Sequence, residues 1–148
     1  MLPYLFRKTT MPINSWKQEF YHGRVLDAAR NVVAATEHSI IKWTGLSEAN
    51  LKKHDLIKDP DYFNRDSIVN PKTSGRFVAG ADQCALCQYD LTHSPHSCCA
   101  CPLTEVGALC RNEDSPYQRW VRTGNNKPML VALNRALEYV KKQAGIEA

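Results

Sequence analysis

The sequence predicts a mainly α-helical single domain with a small zinc-stapled loop and β-hairpin module, an α+β chain overall. Three observations lead there. Apolar residues recur at helical spacing on both sides of the chain's midpoint. Capping residues, prolines and glycines bracket those stretches. All six cysteines fall between Cys84 and Cys110. A chain of 148 residues buries roughly 70% of the surface its unfolded form exposes, so the cysteines are not required to replace a missing core. They serve a local purpose.

Residues 1–13 contain Pro3 and Pro12 without periodicity and read as an N-terminal arm; Met11 is an alternative start. Residues 14–148 read as one domain, whose first part, 14–54, is helical. Ser15 and Gln18 have the spacing of a capping box, which predicts a helix start at Ser15, and Gly23 predicts a break near Tyr21. From Arg24 onward Val25, Ala29, Val32, Val33, Thr36, Ile40 and Trp43 share one helical face. Gly45 suits a left-handed stop, and Ser47 caps a shorter helix reaching His54 around the apolar contact Leu51. His22, His38 and His54 read as polar boundary residues and Trp43 as core.

Residues 55–82 are rich in turn formers. Ser67–Val69 and Arg76–Ala79, separated by NPKTSG, predict a hairpin that needs the neighbouring metal as an anchor. Beyond the cysteine-rich stretch, 83–112, lie the C-terminal helices of 115–145. Ser115, Pro116 and Gln118 start a helix that Gly124 stops. Asn126 and Pro128 start the last one, with Met129, Leu130, Leu133, Ala136, Leu137 and Val140 as its apolar stripe and Gly145 as its end.

Cys84 and Cys87 form one CxxC and Cys98 and Cys101 a second, ten residues apart. Two residues between thiolates let both sulfurs reach one ion at about 2.3 Å, and a second such turn completes a tetrahedron. The spacing predicts a closed structural Zn2+ site of Cys84, Cys87, Cys98 and Cys101. Cys110 is the alternative fourth ligand, replacing Cys98 or Cys101. Cys99, adjacent to Cys98, reads as a spectator. An iron–sulfur cluster is the alternative cofactor, because four thiolates suit it equally. His93 and His96 sit in the connecting loop and read as an exposed tip, although either could serve a second ion.

The net charge of +4 is uneven: residues 1–80 carry 12 Lys/Arg against 8 Asp/Glu, and the remainder 7 of each. Four thiolates on one divalent ion would lower the total to about +2, a weak electrostatic case for nucleic acid. No stretch approaches the roughly 20 apolar residues of a membrane span, and MLPYLFRKTT lacks the order of a signal peptide. These features predict a cytoplasmic protein, where clustered cysteines bind metal more often than they pair. A zinc deaminase would need HxE, and no P-loop, GxSxG, HExxH or dinucleotide glycine motif occurs. A thioredoxin-like βαβ context for either CxxC is also lacking.

HSIIKWTGLSEANLKKH (His38–His54) and the later CALC, CxxCPL and final Cys followed by PYQRW (Pro116–Trp120) resemble small uncharacterised proteins of tailed bacteriophages, over roughly residues 36–120. The resemblance implies a phage accessory protein with a metal-binding knuckle and brings no known activity. The leading expectation is therefore a non-enzymatic, zinc-stabilised interaction protein that binds and modulates a host or phage protein. The alternative is a nucleic-acid-binding zinc-knuckle protein stacking bases on Tyr89, Tyr117 or Trp120. A third reading is a metal-dependent enzyme using His93 or His96.

Overall fold

The computed structural model describes residues 11–73, 75–94 and 98–145. The arm expected over 1–13 lies outside the described residues as far as Thr10, and its end is already helical. Helix α1 spans Pro12–Phe20 with Pro12 in its first turn, not Ser15 as the capping-box spacing predicts. Proline starts a helix at no cost because its missing N–H would have had no intrahelical partner. Ser15 is one turn inside; its hydroxyl donates to the Pro12 carbonyl at 3.0 Å and meets His54 Nδ1 at 2.9 Å. The chain then breaks and turns through Gly23, whose φ is +80°.

The single helix expected from Arg24 is two. Helix α2 covers Val25–Ala28 and α3 covers Val32–Thr44. Asn31 divides them, its Oδ1 accepting from Val33 N at 2.8 Å and Ala34 N at 3.1 Å, an N-cap that satisfies two otherwise orphan donors. The face α3 buries is Ala35, Thr36, Ser39, Lys42 and Trp43, rotated from the Val33–Ile40 stripe the pattern suggests. Gly45 ends α3 with φ −70°, so left-handed geometry does not explain it. A Cβ there would fall inside the Phe20 ring. Glycine is needed for the close approach of α1.

Helix α4 (Glu48–Lys53) is capped by the Ser47 hydroxyl and buries Leu51. The expected hairpin forms from β2 (Ser67–Val69) and β3 (Arg76–Val78), paired antiparallel with Ile68 opposite Phe77. A third strand, β1 (Ile57–Lys58), pairs Ile57 with Val69 on the other edge. Two-residue strands leave no periodic trace in a sequence. Ile68 and Phe77 are fully buried in the main core, so apolar packing anchors this small sheet directly.

The cysteine segment is more helical than a knuckle loop: α5 covers Ala85–His93 and α6 covers Pro102–Glu105. Helix α7 runs Pro116–Thr123, with Ser115 Oγ accepting from Gln118 N at 3.2 Å and Gly124 at φ +77°. Helix α8 runs Lys127–Gln143 and buries Met129, Ala132, Leu133, Ala136 and Val140.

Helix α3 lies at the centre, packed on α8 along one side and α5 along the other. Trp16, Trp43 and Trp120 are buried in one continuous core, each contributing roughly 4–6 kcal/mol of transfer free energy. Trp43 and Trp120 meet edge to face at 5.1 Å. Two buried polar bonds fix the register of this core: Trp16 Nε1 donates to the Gly45 carbonyl and Asn126 Nδ2 to the Trp43 carbonyl, both at 2.8 Å. Among the described residues, no helix is long and apolar enough to cross a membrane.

Candidate metal centre

A 3-10 turn at Ala81–Gln83 delivers the chain to Cys84, the N-cap of α5, whose sulfur accepts from Cys87 N at 3.4 Å. Cys87 lies one turn on, so both thiols share a side of α5. Asp90, a further turn along and buried, reaches the second cysteine pair. Its Oδ2 accepts from Cys98 N and its Oδ1 from Ala100 N, each at 2.7 Å. Cys98 has φ +66°, a left-handed conformation that costs about 1–3 kcal/mol outside glycine; the charge-assisted bonds to Asp90 offset it. Thr104 Oγ1 donates to the Cys98 carbonyl at 2.8 Å. Cys101 is buried at the N-cap of α6. Cys110 is held by the start of α7, since its carbonyl accepts from Ser115 Oγ at 2.8 Å and Gln118 Nε2 at 3.4 Å.

These elements bring five of the six cysteines together. Cys84, Cys87, Cys98 and Cys110 face one cavity of about 240 Å³, shared with Ser39 and Lys42 of α3. Cys101 packs beside it, within electrostatic reach of Cys84, Cys98 and Cys110. Cys99 is exposed. Among the described residues, no group of three or more His, Cys, Asp or Glu side chains is placed so that it could hold a metal ion. His93 is on the surface, stacked on Tyr89 at 4.0 Å, with Nδ1 2.9 Å from the Tyr89 carbonyl. It does not line the cavity. His96 lies outside the described residues.

The thiols perturb one another strongly. Cys84 is pushed down to about 5, first because the Cys87 thiol donates to it, then through Lys42 and the N–H groups of Cys87 and Leu86, against the cost of burial. Cys87, the donor, is pushed up by the same bond. Burial pushes Cys101 and Cys110 up to about 12. Burial also lowers Lys42, while Cys84, Cys87 and Cys110 oppose that shift.

Lys42 and Ser39 are the members of the site that sequence reading missed. Lys42 is 1% exposed and donates to the Ala79 and Gln83 carbonyls, both at 3.2 Å. Gln83 also takes the Tyr21 hydroxyl, on its carbonyl at 3.0 Å and on its Oε1 at 2.9 Å, tying α1 to the entrance of the cysteine segment. The Ser39 hydroxyl is buried with no hydrogen-bond partner. The available signal was spacing: Ala35, Thr36, Ser39 and Lys42 recur every three or four residues as a stripe of small side chains ending in a lysine.

Among the described residues, several of the basic side chains of the first half are engaged. Arg76 pairs with Asp59 at 2.6 Å, Lys53 with Glu19 at 2.8 Å, Arg30 with Asp27 at 3.4 Å, and Lys42 is interior. Of the aromatic residues that could stack bases, Trp120 is wholly buried and Tyr117 packs against the core. The surface instead presents a different aromatic group. In a 3-10 turn at Tyr62–Asn64 capped by Asp61, Phe63 is 87% and Tyr62 67% exposed. Their rings stand edge to face at 5.4 Å, and the Arg65 guanidinium sits 4.3 Å from the Tyr62 ring centre. The chain shows no match to a family model, a curated protein or a solved structure.

Proposed function

We propose that this chain is a non-enzymatic interaction protein whose core is stapled by one zinc ion, a phage accessory protein that binds and modulates a host protein. The gathering of five thiols in an apolar interior carries the reading. Zinc needs four, so the donors here can close its coordination sphere without leaving a position for substrate. Cys84, Cys87, Cys98 and Cys101 are the ligands, with Cys110 as the alternative that replaces Cys98 or Cys101. The partner-binding surface is the tip formed by Tyr62, Phe63 and Arg65, residue types that dominate binding energy when presented rigidly. The bacteriophage assignment rests on the sequence resemblance alone.

Elemental analysis of protein purified under reducing conditions without added metal tests the staple. One zinc per chain is expected, lost on Cys84→Ser or Cys87→Ser, and on two of the three changes Cys98→Ser, Cys101→Ser and Cys110→Ser. Iron with acid-labile sulfide would replace zinc by the alternative cofactor, and no metal at all would end the reading. For the tip, Phe63→Ser should abolish cross-linking to the host partner while Leu91→Ser, another exposed apolar site, leaves it intact. Equal loss in both variants would count against the tip.

A further inference from the structure

Where the end of α4 meets α1, three side chains form a hydrogen-bonded chain. Ser15 Oγ lies 2.9 Å from His54 Nδ1, and the opposite ring nitrogen, Nε2, lies 2.7 Å from Glu19 Oε1. Ser15 and Glu19 are four residues apart and share a face of α1, whereas His54 is 39 residues from Ser15. None of the three lines the sulfur-rich cavity. Hydrogen bonds from Lys53, 2.8 Å away, and then from His54 hold the Glu19 carboxyl below its ordinary range. An ionised carboxylate only accepts, so in the neutral ring the proton sits on Nε2 and Nδ1 presents a bare lone pair to Ser15. Ser15 is then the donor. Its second acceptor, the Pro12 carbonyl at 3.0 Å, takes over the hydroxyl proton when the ring is charged and Nδ1–H points at Oγ.

A hydroxyl held by a neutral imidazole that a carboxylate in turn orients is the arrangement that activates serine as a nucleophile, and it is recognised by geometry and roles. The group can be reached from solvent: Ser15 is half-buried, and the His54 and Glu19 side chains are 13% and 38% exposed. Helical side chains lean toward the N-terminus, which puts the Ser15 hydroxyl over the first turn of α1. There the N–H groups of Ile13 and Asn14 have no partner within the helix, and the helix dipole favours developing negative charge. We propose that Ser15 is an activated nucleophile, with His54 as its general base and Glu19 as the positioning carboxylate, which takes the acyl group of small activated carboxylic esters and becomes an acyl-serine. As Oγ bonds the carbonyl carbon, the Ser15 hydroxyl proton passes to His54 Nδ1. The bond from that carbon to the ester oxygen then breaks, and the leaving alcohol takes the proton from His54. Nothing is oxidised or reduced. A single acylation of the chain needs no turnover, so the inference goes beyond the interaction-protein reading and depends on neither the zinc nor the aromatic tip.

The probe is p-nitrophenyl acetate, with acetylation of each serine in the full-length folded protein followed over time by peptide mapping in the mass spectrometer. Ser47 and Ser115 serve as internal references, because each hydroxyl caps a helix by accepting from a backbone N–H. Ser15 should be acetylated about a hundredfold or more faster than either, the scale of a positioned general base. His54→Ala should remove that excess. Glu19→Gln should reduce it about tenfold or more, because an amide there can donate to Nε2 and hold the ring in the wrong tautomer. Lys53→Met breaks the other bridge from α4 to the same carboxylate, leaves Ser15, His54 and Glu19 in place, and should preserve the excess.

Unfolding wild type in urea should also erase the preference, since it depends on α4 docked against α1. Acetylation of Ser15 at the rate of the references overturns the proposal, as does an excess that survives His54→Ala or persists in urea. If His54→Ala fails to fold, the comparison of Glu19→Gln with Lys53→Met decides. Equal loss in those two would make Glu19 a strut between helices, and the activated serine would fall with it. Zinc content is unaffected by any of these outcomes, so the metal reading stands or falls separately.

Discussion

Helix α3 separates two interiors of opposite character. Toward α1 and the sheet, Trp16, Phe20, Tyr21 and Phe77 form an aromatic group with ring centres 5.0–6.5 Å apart, and the Trp16 indole N–H is satisfied. Toward α5, the same helix presents Ser39 and Lys42 to a sulfur-lined cavity, with a buried hydroxyl lacking a partner. The aromatic side also holds buried polar atoms without a partner, the Ser67 hydroxyl of β2 and both ring nitrogens of His38, which packs on Tyr21. On the thiol side the Ser39 hydroxyl has no partner, and Lys42 stands beside the depressed Cys84 thiol.

Four substitutions would break or sharpen that contrast. Trp16→Ala removes a fully buried indole and should cost about 3–5 kcal/mol, by the same amount in chelator-treated and zinc-supplemented protein. A cost that depended on metal would mean that the two interiors are not separate. Asp90→Ala, by contrast, belongs to the thiol side. Losing two charge-assisted bonds to the Cys98–Ala100 turn should cost about 2–4 kcal/mol and, in isothermal titration with zinc, weaken uptake. Unaltered uptake would show that the turn is fixed by other contacts.

Gly45→Ala places a methyl group in the Phe20 ring and should cost about 1–3 kcal/mol through overpacking, with zinc content unchanged. The smallest effect is confined to acid. His38 lies between the two interiors, edge to face with Tyr21 at 4.8 Å, both ring nitrogens buried and unpartnered. Burial, then Lys42, holds it below its ordinary 6.5. Below that pH the unfolded chain binds a proton that the folded one refuses, so stability falls as pH drops through 6.5 and levels off once the folded value is passed. His38→Leu should flatten this slope in urea titrations of metal-free protein between pH 7.5 and 5.5. A wild-type curve as flat as the variant's would show that the ring is solvated.

The parts of the fold written in local chemistry were legible. Helix α7 follows from Ser115, Pro116 and Gly124, each acting within one turn of itself, and β2 and β3 follow from β-branched or aromatic runs around a turn. The division of α2 from α3 was hidden because Asn31 reads equally well as a polar-face residue. Helix α5 was hidden because CxxC spacing suggests a turn, while the thiol of Cys84 serves here as the helix cap. Of the four cysteines that spacing groups, Cys84, Cys87 and Cys98 face one cavity. That Cys110 joins them depends on Ser115 and Gln118 gripping its carbonyl. Lys42 was the hardest to see, because lysine is normally a surface residue and only the packing of other elements around α3 puts it inside.

The bond from Asn126 to the Trp43 carbonyl joins residues 83 apart in the chain, and with it α8 docks on a helix made long before it. Bringing such distant segments together is entropically slow, and proteins built on contacts of this span fold late in their most remote pairing. A metal clip between Cys84 and Cys110 would shorten the span by 26 residues, yet closure entropy grows only with the logarithm of length, so the saving is about 0.3 kcal/mol. Such a clip would therefore do little to hasten the arrival of α8. The folding rate should be set by that docking and be nearly the same with and without metal, whereas the unfolding rate carries any stabilisation the metal confers.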